Sequence, residues 1–218
     1  MIRTMLWALA CAFTLLFTVP VTAAQFDEGI EYKLVRPPQP VDDPSKIEVR
    51  ELFWYGCPHC YHLEPKLKAW LEHLPPNVRF VRMPAVLGDR WSLLARAYYT
   101  ADLLGVLDRT HEALFDAIHK EGQRIRTESQ LADFFARFGV DRKTFHDTFH
   151  SFAVEAKIAR ARELSRRYHI DGVPTIIVDG KYRTSATDAG GQEAMFKVVD
   201  YLIARETAAR KTAAAAAH

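Results

Sequence analysis

Ile47-Glu48-Val49-Arg50-Glu51-Leu52-Phe53-Trp54-Tyr55-Gly56-Cys57-Pro58-His59-Cys60 is a strand-like run that ends in a glycine and opens onto two cysteines three positions apart. β-Branched and aromatic residues dominate the run, and Gly56 closes it. After the cysteines, Leu63, Leu67, Trp70, Leu71 and Leu74 recur at three- and four-residue steps, and Pro75-Pro76 punctuates the chain beyond them. Strand, Cys-x-x-Cys, helix is therefore the local order. Two thiols on the first turn of a helix can close a small disulfide ring. The first sulfur then faces the unpaired N–H groups of the helix N-terminus, which favour a thiolate. The thiolate is the form that attacks disulfides and leaves from them, so this placement is suited to redox exchange and has the thioredoxin-like context.

Cys57, Cys60 and His62 would also be three soft ligands for zinc. Such sites usually draw further ligands from a second cysteine or histidine pair. The one other cysteine, Cys11, lies in the apolar leader, so no metal and no cofactor is expected at the pair. Residues 1–24 read as a secretory signal. Arg3 precedes a mostly apolar stretch from Met5 to Val19, and Val21-Thr22-Ala23 fits small-residue cleavage near Ala23 to Gln25. Cys11 is lost with the leader, which leaves an exported chain whose two cysteines both sit in the motif. Roughly 194 residues can bury a core without disulfide staples, so these thiols are there for chemistry. Without Arg3, 28 basic residues face 27 acidic ones and no basic block stands out, which argues against nucleic acid as a partner.

The remainder of the chain divides by pattern. Residues 25–46 form a polar lead-in punctuated by Pro37-Pro38, Pro40 and Pro44, expected to wrap the surface. Val78-Arg79-Phe80-Val81-Arg82-Met83 alternates and predicts a second strand. From 88 to 168 the pattern is helical. Trp91, Leu94, Ala95, Tyr98 and Leu103 form one stripe, and Asp108 is a cap for a helix with Leu114, Phe115 and Ile118. Thr127 and Gln130 make a capping box before Leu131, Phe134, Phe135 and Phe138. Asp141 opens a run with Phe145, Phe149 and Phe152, and Val154, Ile158, Ala161 and Tyr168 follow. Phenylalanines at this spacing are read as core. Thr175-Ile176-Ile177-Val178, Asp179-Gly180 and Lys181-Tyr182-Arg183 predict a hairpin, and a last helix is expected over about 192–205. The alanine-rich end, 207–218, has no large apolar side chain and is expected to be disordered. The fold class is α/β: a domain over 25–87 and 169–206, interrupted by an all-helical insertion over 88–168.

Within the motif, Cys57 is expected to be the exposed, attacking thiol and Cys60 the buried, resolving one. Pro58 fits the first helical turn, where no N–H is needed. His59, beside Cys57, would stabilise its thiolate as an imidazolium and make the disulfide a stronger oxidant; the alternative is a solvated histidine. Val173-Pro174, after Gly172 and before the Thr175 strand, looks like a cis-proline loop packed beside the cysteines. There the Val173 backbone could pair with an extended substrate chain. Glu51, in the strand leading to the motif, and Glu64, four residues past Cys60, are candidates to take up the Cys60 proton; either could instead be a paired surface charge. His62, Lys66 and Lys68 read as ordinary surface.

These residues resemble the DsbA family of bacterial thiol:disulfide interchange proteins. The likeness rests on Phe53 to Tyr61, on the helical insertion, and on Gly172-Val173-Pro174-Thr175 followed by Val178-Asp179-Gly180-Lys181-Tyr182. Glu51 and Glu64 also match acidic positions of that family. The resemblance implies a thioredoxin-like fold with a helical insertion and a monomeric periplasmic oxidant. It would donate its Cys57–Cys60 disulfide to newly exported proteins and be reoxidised by a DsbB-like quinone-linked membrane protein. A disulfide isomerase or reductase is the nearest alternative, but 25–46 is too short for an added dimerisation domain. A non-catalytic peptide-binding chaperone is a further one, and the intact cysteine pair argues against it.

Overall fold

The computed structural model describes residues 26–216; residues 1–25, on which the expected secretory signal and Cys11 fall, and residues 217–218 lie outside them. In chain order the elements are β1 (Lys33–Leu34), β2 (Ile47–Phe53), α1 (Pro58–Leu71), β3 (Val78–Pro84), α2 (Asp89–Leu103), α3 (Leu107–His119) and α4 (Glu128–Ala136). There follow α5 (Arg142–Phe149), α6 (Phe152–Arg167), β4 (Thr175–Val178), β5 (Tyr182–Ser185), α7 (Ala186–Ala189) and α8 (Gln192–Ala216). The five strands form one mixed sheet in the order β1-β5-β4-β2-β3. β2 and β3 run parallel, joined by α1 as a crossover, and the other pairings are antiparallel.

β2 is an interior strand, between β4 and β3, and all seven of its residues are buried, which explains its apolar weight. Ile47 and Val49 pack with Leu63 and Leu67 of α1 and with Val199 and Leu202 of α8. Leu52 and Phe53 join a larger core with the helical segment, through Met83, Leu94, Phe115 and Tyr168. Glu48 and Arg50 are buried as well, paired at 2.6 Å, and Arg50 reaches Asp42 at 3.3 Å. A charge inside a sheet persists only when it is paired in this way.

The caps at Thr127 and Asp141 form as their side chains dictate: Thr127 and Gln130 satisfy each other's backbone N–H, and Asp141 accepts from the Thr144 N–H. Asp108 is instead inside the first turn of α3, whose cap position is Val106; an acid there still meets the positive end of the helix. Phe145 and Phe149 are buried, but Phe152 is 87 % exposed. The helix ends at His150 and a new one is capped by Ser151, so the three-residue step from Phe149 passes from one helix to the next and leaves the shared face.

The Asp179-Gly180 turn has positive φ at both residues, 53° and 64°, and is closed by Lys181 N–H donating to the Val178 carbonyl at 3.0 Å. Val178 pairs with Tyr182, so the hairpin loop has three residues and Lys181, expected in the strand, belongs to the turn. A Cβ on Gly180 would stand 2.0 Å from the Gln39 carbonyl oxygen, because the lead-in segment crosses the turn and Gln39 N–H donates to the Gly180 carbonyl at 2.9 Å. The lead-in is more than a surface wrap: Lys33 and Leu34 add an edge strand to β5.

The expectation of a disordered end is corrected. α8 continues from Gln192 through Ala216. Its later turns are held by polar anchors: Asn77 Nδ2 donates to Thr207 Oγ1 at 3.0 Å, and Arg210 reaches Asp179 Oδ1 at 2.8 Å and the Pro44 and Lys46 carbonyls at 2.9 and 3.0 Å. Alanine has the highest intrinsic helix propensity, so the segment needs no large apolar face to stay helical once anchored.

Candidate active site

Cys57 is the N-cap residue of α1, with φ −93° and ψ 115°, and Pro58 follows in the first turn. The chain turns tightly there: Cys57 N–H donates to the Trp54 carbonyl at 2.9 Å, and Tyr61 N–H to the Cys57 carbonyl at 3.1 Å. Gly56 leaves room for Trp54, since a Cβ would lie 2.5 Å from the indole, which stacks on Trp91 with centroids 4.6 Å apart. Both cysteines are free thiols. Cys60 is fully buried and Cys57 is 8 % exposed, so the order of exposure is as expected, but Cys57 is a recessed thiol and not an open one.

The two sulfurs are pushed in opposite directions. Cys57 is lowered to about 6, chiefly by the Cys60 thiol that donates to it. Burial opposes the shift; the backbone N–H groups of Cys60 and His59 and, last, the His59 charge support it. His59 therefore ranks below the neighbouring thiol and the helix terminus as a cause. Cys60 is raised far above the usual thiol range, first by burial, then by Cys57 and by the charge of Glu51. His59 is exposed, and its carbonyl accepts from Gln192 Nε2 at 2.9 Å, which ties the first turn of α1 to the start of α8.

Val173-Pro174 is a cis peptide. The loop lies against the motif: the Cys57 thiol donates to the Val173 carbonyl at 3.4 Å, and Thr175 Oγ1 donates to the Gly172 carbonyl at 2.9 Å. A groove of about 770 Å³ runs past this loop, lined by His59, His62, Gly172, Val173, Pro174 and Gln192 among others. An open cleft of about 980 Å³ lies on the Trp54 and Gly56 side, with Trp91, Ile118, Ile125 and Arg126 in its walls.

Glu51 is fully buried, and the structure joins it to residues that sequence reasoning missed. Arg82 of β3 bridges two carboxylates, Nε to Glu51 at 3.2 Å and Nη2 to Glu64 at 3.0 Å. His111 Nε2 stands 3.4 Å from Glu64 Oε1, and its Nδ1 is 2.8 Å from the Tyr55 hydroxyl. Burial, and then the Glu64 charge, raise Glu51 well above the usual carboxylate range against the pull of Arg82. Glu64 is lowered: burial would raise it, but His111 and Arg82 outweigh that. Of the two adjacent acids, the surroundings favour the protonated form at Glu51 and the ionised form at Glu64. Glu51 Oε1 has no hydrogen-bond partner among the described residues. Arg82 could have been found by laying the two strands side by side, because Glu51 and Arg82 are register partners across the β2–β3 pair. Nothing in the sequence marked His111.

A recessed pair of thiols at a helix entrance, one acidic and one held neutral, facing a cis-proline loop, is the reactive centre of a thiol–disulfide oxidoreductase. Residues 48–202 match the model of the DSBA-like thioredoxin domain. The thiol:disulfide interchange protein DsbA of Pseudomonas aeruginosa is 43 % identical over 209 residues, which cover 96 % of this chain and 99 % of that one. Its counterpart in Pseudomonas syringae is 44 % identical over 212 residues, covering 97 % and 99 %. A crystal structure of Pseudomonas aeruginosa DsbA superposes with a TM-score of 0.81 at 46 % identity, covering 85 % of this chain and 97 % of that one. The oxidoreductase DsbA of Xylella fastidiosa gives 0.79 at 38 % identity, covering 84 % and 98 %. The chain belongs to the family of DSBA-like thioredoxin domains and is a protein thiol–disulfide oxidoreductase with Cys57-Pro58-His59-Cys60 as its redox motif.

Proposed function

We propose that this protein acts in the periplasm as a disulfide donor to newly exported proteins, through a mixed disulfide on Cys57. A client thiolate attacks Cys57 Sγ in the disulfide form, and the Cys57–Cys60 bond breaks with its electron pair going to Cys60. The buried Cys60 sulfur takes a proton as it leaves, and Glu51, whose charge acts on Cys60, is assigned here as its source. A second client thiolate then attacks the client sulfur of the mixed disulfide and releases Cys57 as a thiolate. The client is oxidised by two electrons and the Cys57–Cys60 pair is reduced by two.

The observation that carries this reading is the opposed tuning of the two thiols: Cys57, at about 6, is the better leaving group in the release step. Stabilising the dithiol form in this way makes the disulfide form oxidising. The Val173 carbonyl beside Cys57 and the adjoining groove suit an extended client backbone, bound without reading particular side chains. Export rests on residues 1–24, and no helix among the described residues is long and apolar enough to cross a membrane. Restoring the disulfide takes two electrons from the dithiol, the task proposed for a DsbB-like membrane protein linked to quinone. The protein itself is proposed to work as a monomer.

The test is the redox equilibrium with glutathione, joined to oxidation of a reduced, unfolded client. A strongly oxidising equilibrium is expected, and Cys60→Ser whose Cys57 has first been converted to its mixed disulfide with glutathione is expected to exchange with a single-thiol client, releasing glutathione and leaving a client adduct on Cys57. An equilibrium as reducing as that of thioredoxin, about −270 mV, would overturn the donor assignment.

A further inference from the structure

Among the described residues, one group of three ligand-type side chains lies outside the redox site: Glu128, His146 and His150, with one donor atom from each within 4.8 Å of the others. Glu128 is the first residue of α4; His146 is in α5 and His150 is its C-cap, one helical turn further on. None of these elements contributes to the thiol centre. His150 Nε2 is 2.8 Å from Glu128 Oε2, His146 Nε2 is 3.8 Å from Glu128 Oε1, and the two imidazoles stand 4.7 Å apart.

These spacings suit a metal ion. Bonds of ~2.1 Å to nitrogen and oxygen in a tetrahedral zinc site put donor atoms about 3.4 Å apart. The two imidazole-to-carboxylate separations, 2.8 and 3.8 Å, bracket that value, and one donor atom from each of the three lies within 4.8 Å of the others, so the adjustment asked of the side chains is small. The backbone is also held. The Thr127–Gln130 box fixes the start of α4, Asp141 caps α5, and Phe135, Phe145 and Phe149 stack between them with centroids 5.0 and 5.4 Å apart. The Asp147 carboxylate lies 3.6 Å from His146 Nδ1, on the ring edge opposite Glu128. A carboxylate there favours a proton on Nδ1 and leaves the Nε2 lone pair free for a metal, as outer-sphere acids do for ligating histidines.

We propose that Glu128, His146 and His150 form a three-ligand site for a borderline divalent cation, zinc or copper(II), with a fourth position open to water. Two imidazoles and one carboxylate select this class over calcium or magnesium, which take all-oxygen sets. The bound ion bridges α4 to α5 and steadies the helical insertion, leaving thiol exchange unchanged.

The test uses the mature protein in its disulfide form, without a polyhistidine tag, so that Cys57 and Cys60 are not available as ligands. Zinc is titrated in competition with a chromophoric chelator, and melting is followed with and without the ion. One equivalent bound by the unaltered protein is expected, with a melting point that rises with zinc. His146→Ala and His150→Ala are each expected to weaken binding by at least about tenfold and to abolish the rise, since even outer-sphere partners act on that scale. Glu128→Gln weakens binding and leaves client oxidation as it was. Failure of the disulfide form to bind zinc saturably, or undiminished binding by the His146→Ala/His150→Ala double variant, would overturn the proposal and leave the three as a surface ion-pair cluster.

Discussion

The stability of the dithiol form, measured against the disulfide form, is expected to rise with pH. The group responsible is Cys57, held at about 6 when folded. A lowered value contributes stability in full above the unfolded thiol value and loses it as pH falls through the folded one. A value of about 6 against ~8.5 for an unfolded thiol changes the stability of the dithiol form by about 2.5 kcal/mol between ~pH 5 and ~pH 8. Solvent screening at this sulfur, near the surface, reduces the figure to roughly 1–1.5 kcal/mol. The window closes near ~pH 8 because Cys60 is held up: above the unfolded value its ionisation favours unfolding, with the opposite sign. The disulfide form has neither thiol, so its own curve subtracts the other groups that titrate. Urea unfolding of both forms at several pH values measures the difference, and thiolate absorbance through an acid titration gives the Cys57 midpoint independently. A stability difference flat across the window, or a reduced-form pH dependence that Cys57→Ser keeps undiminished, would refute the reasoning.

Cys60→Ala is expected to raise the Cys57 midpoint more than His59→Ser does, because the Cys60 thiol is the leading cause of the shift and the His59 charge the last; absorbance titration of both variants ranks them. Glu51→Gln should keep the fold, since Arg82 retains Glu64, yet slow the step in which Cys60 leaves by removing the acid proposed to protonate it; stopped-flow reduction by glutathione at several pH values should show a slower rate with a weaker pH dependence. Gly180→Ala is expected to cost at least about 2 kcal/mol, combining a left-handed backbone with a Cβ 2.0 Å from the Gln39 carbonyl; a urea midpoint equal to that of the parent would contradict it. Arg210→Ala removes an anchor of α8 and should cost about 1–2 kcal/mol, and it should speed amide exchange beyond residue 207 while leaving Gln192 to Ile203 protected.

What the sequence by itself determined was local. Strand, cysteine pair and helix were legible from Ile47 to Leu71 because burial of β2 and the inward face of α1 wrote their periods into adjacent residues. The caps at Thr127 and Asp141 and the Asp179-Gly180 turn were legible because each is settled within four residues by one side chain and its own backbone. The limits of that reading are equally physical. Phe152 matched the spacing of its neighbours but sits beyond a helix break, and the alanine-rich end lacked the bulk that marks a buried helix. Tertiary structure alone decided that Arg82 is shared by Glu51 and Glu64, that His111 links Glu64 to Tyr55, that Asp179 holds Arg210, and that Glu128 meets His146 and His150. A charge or an imidazole has no periodicity of its own. Its partner, and with it its proton, is chosen by whichever distant segment the packing of the apolar residues brings within a few ångströms.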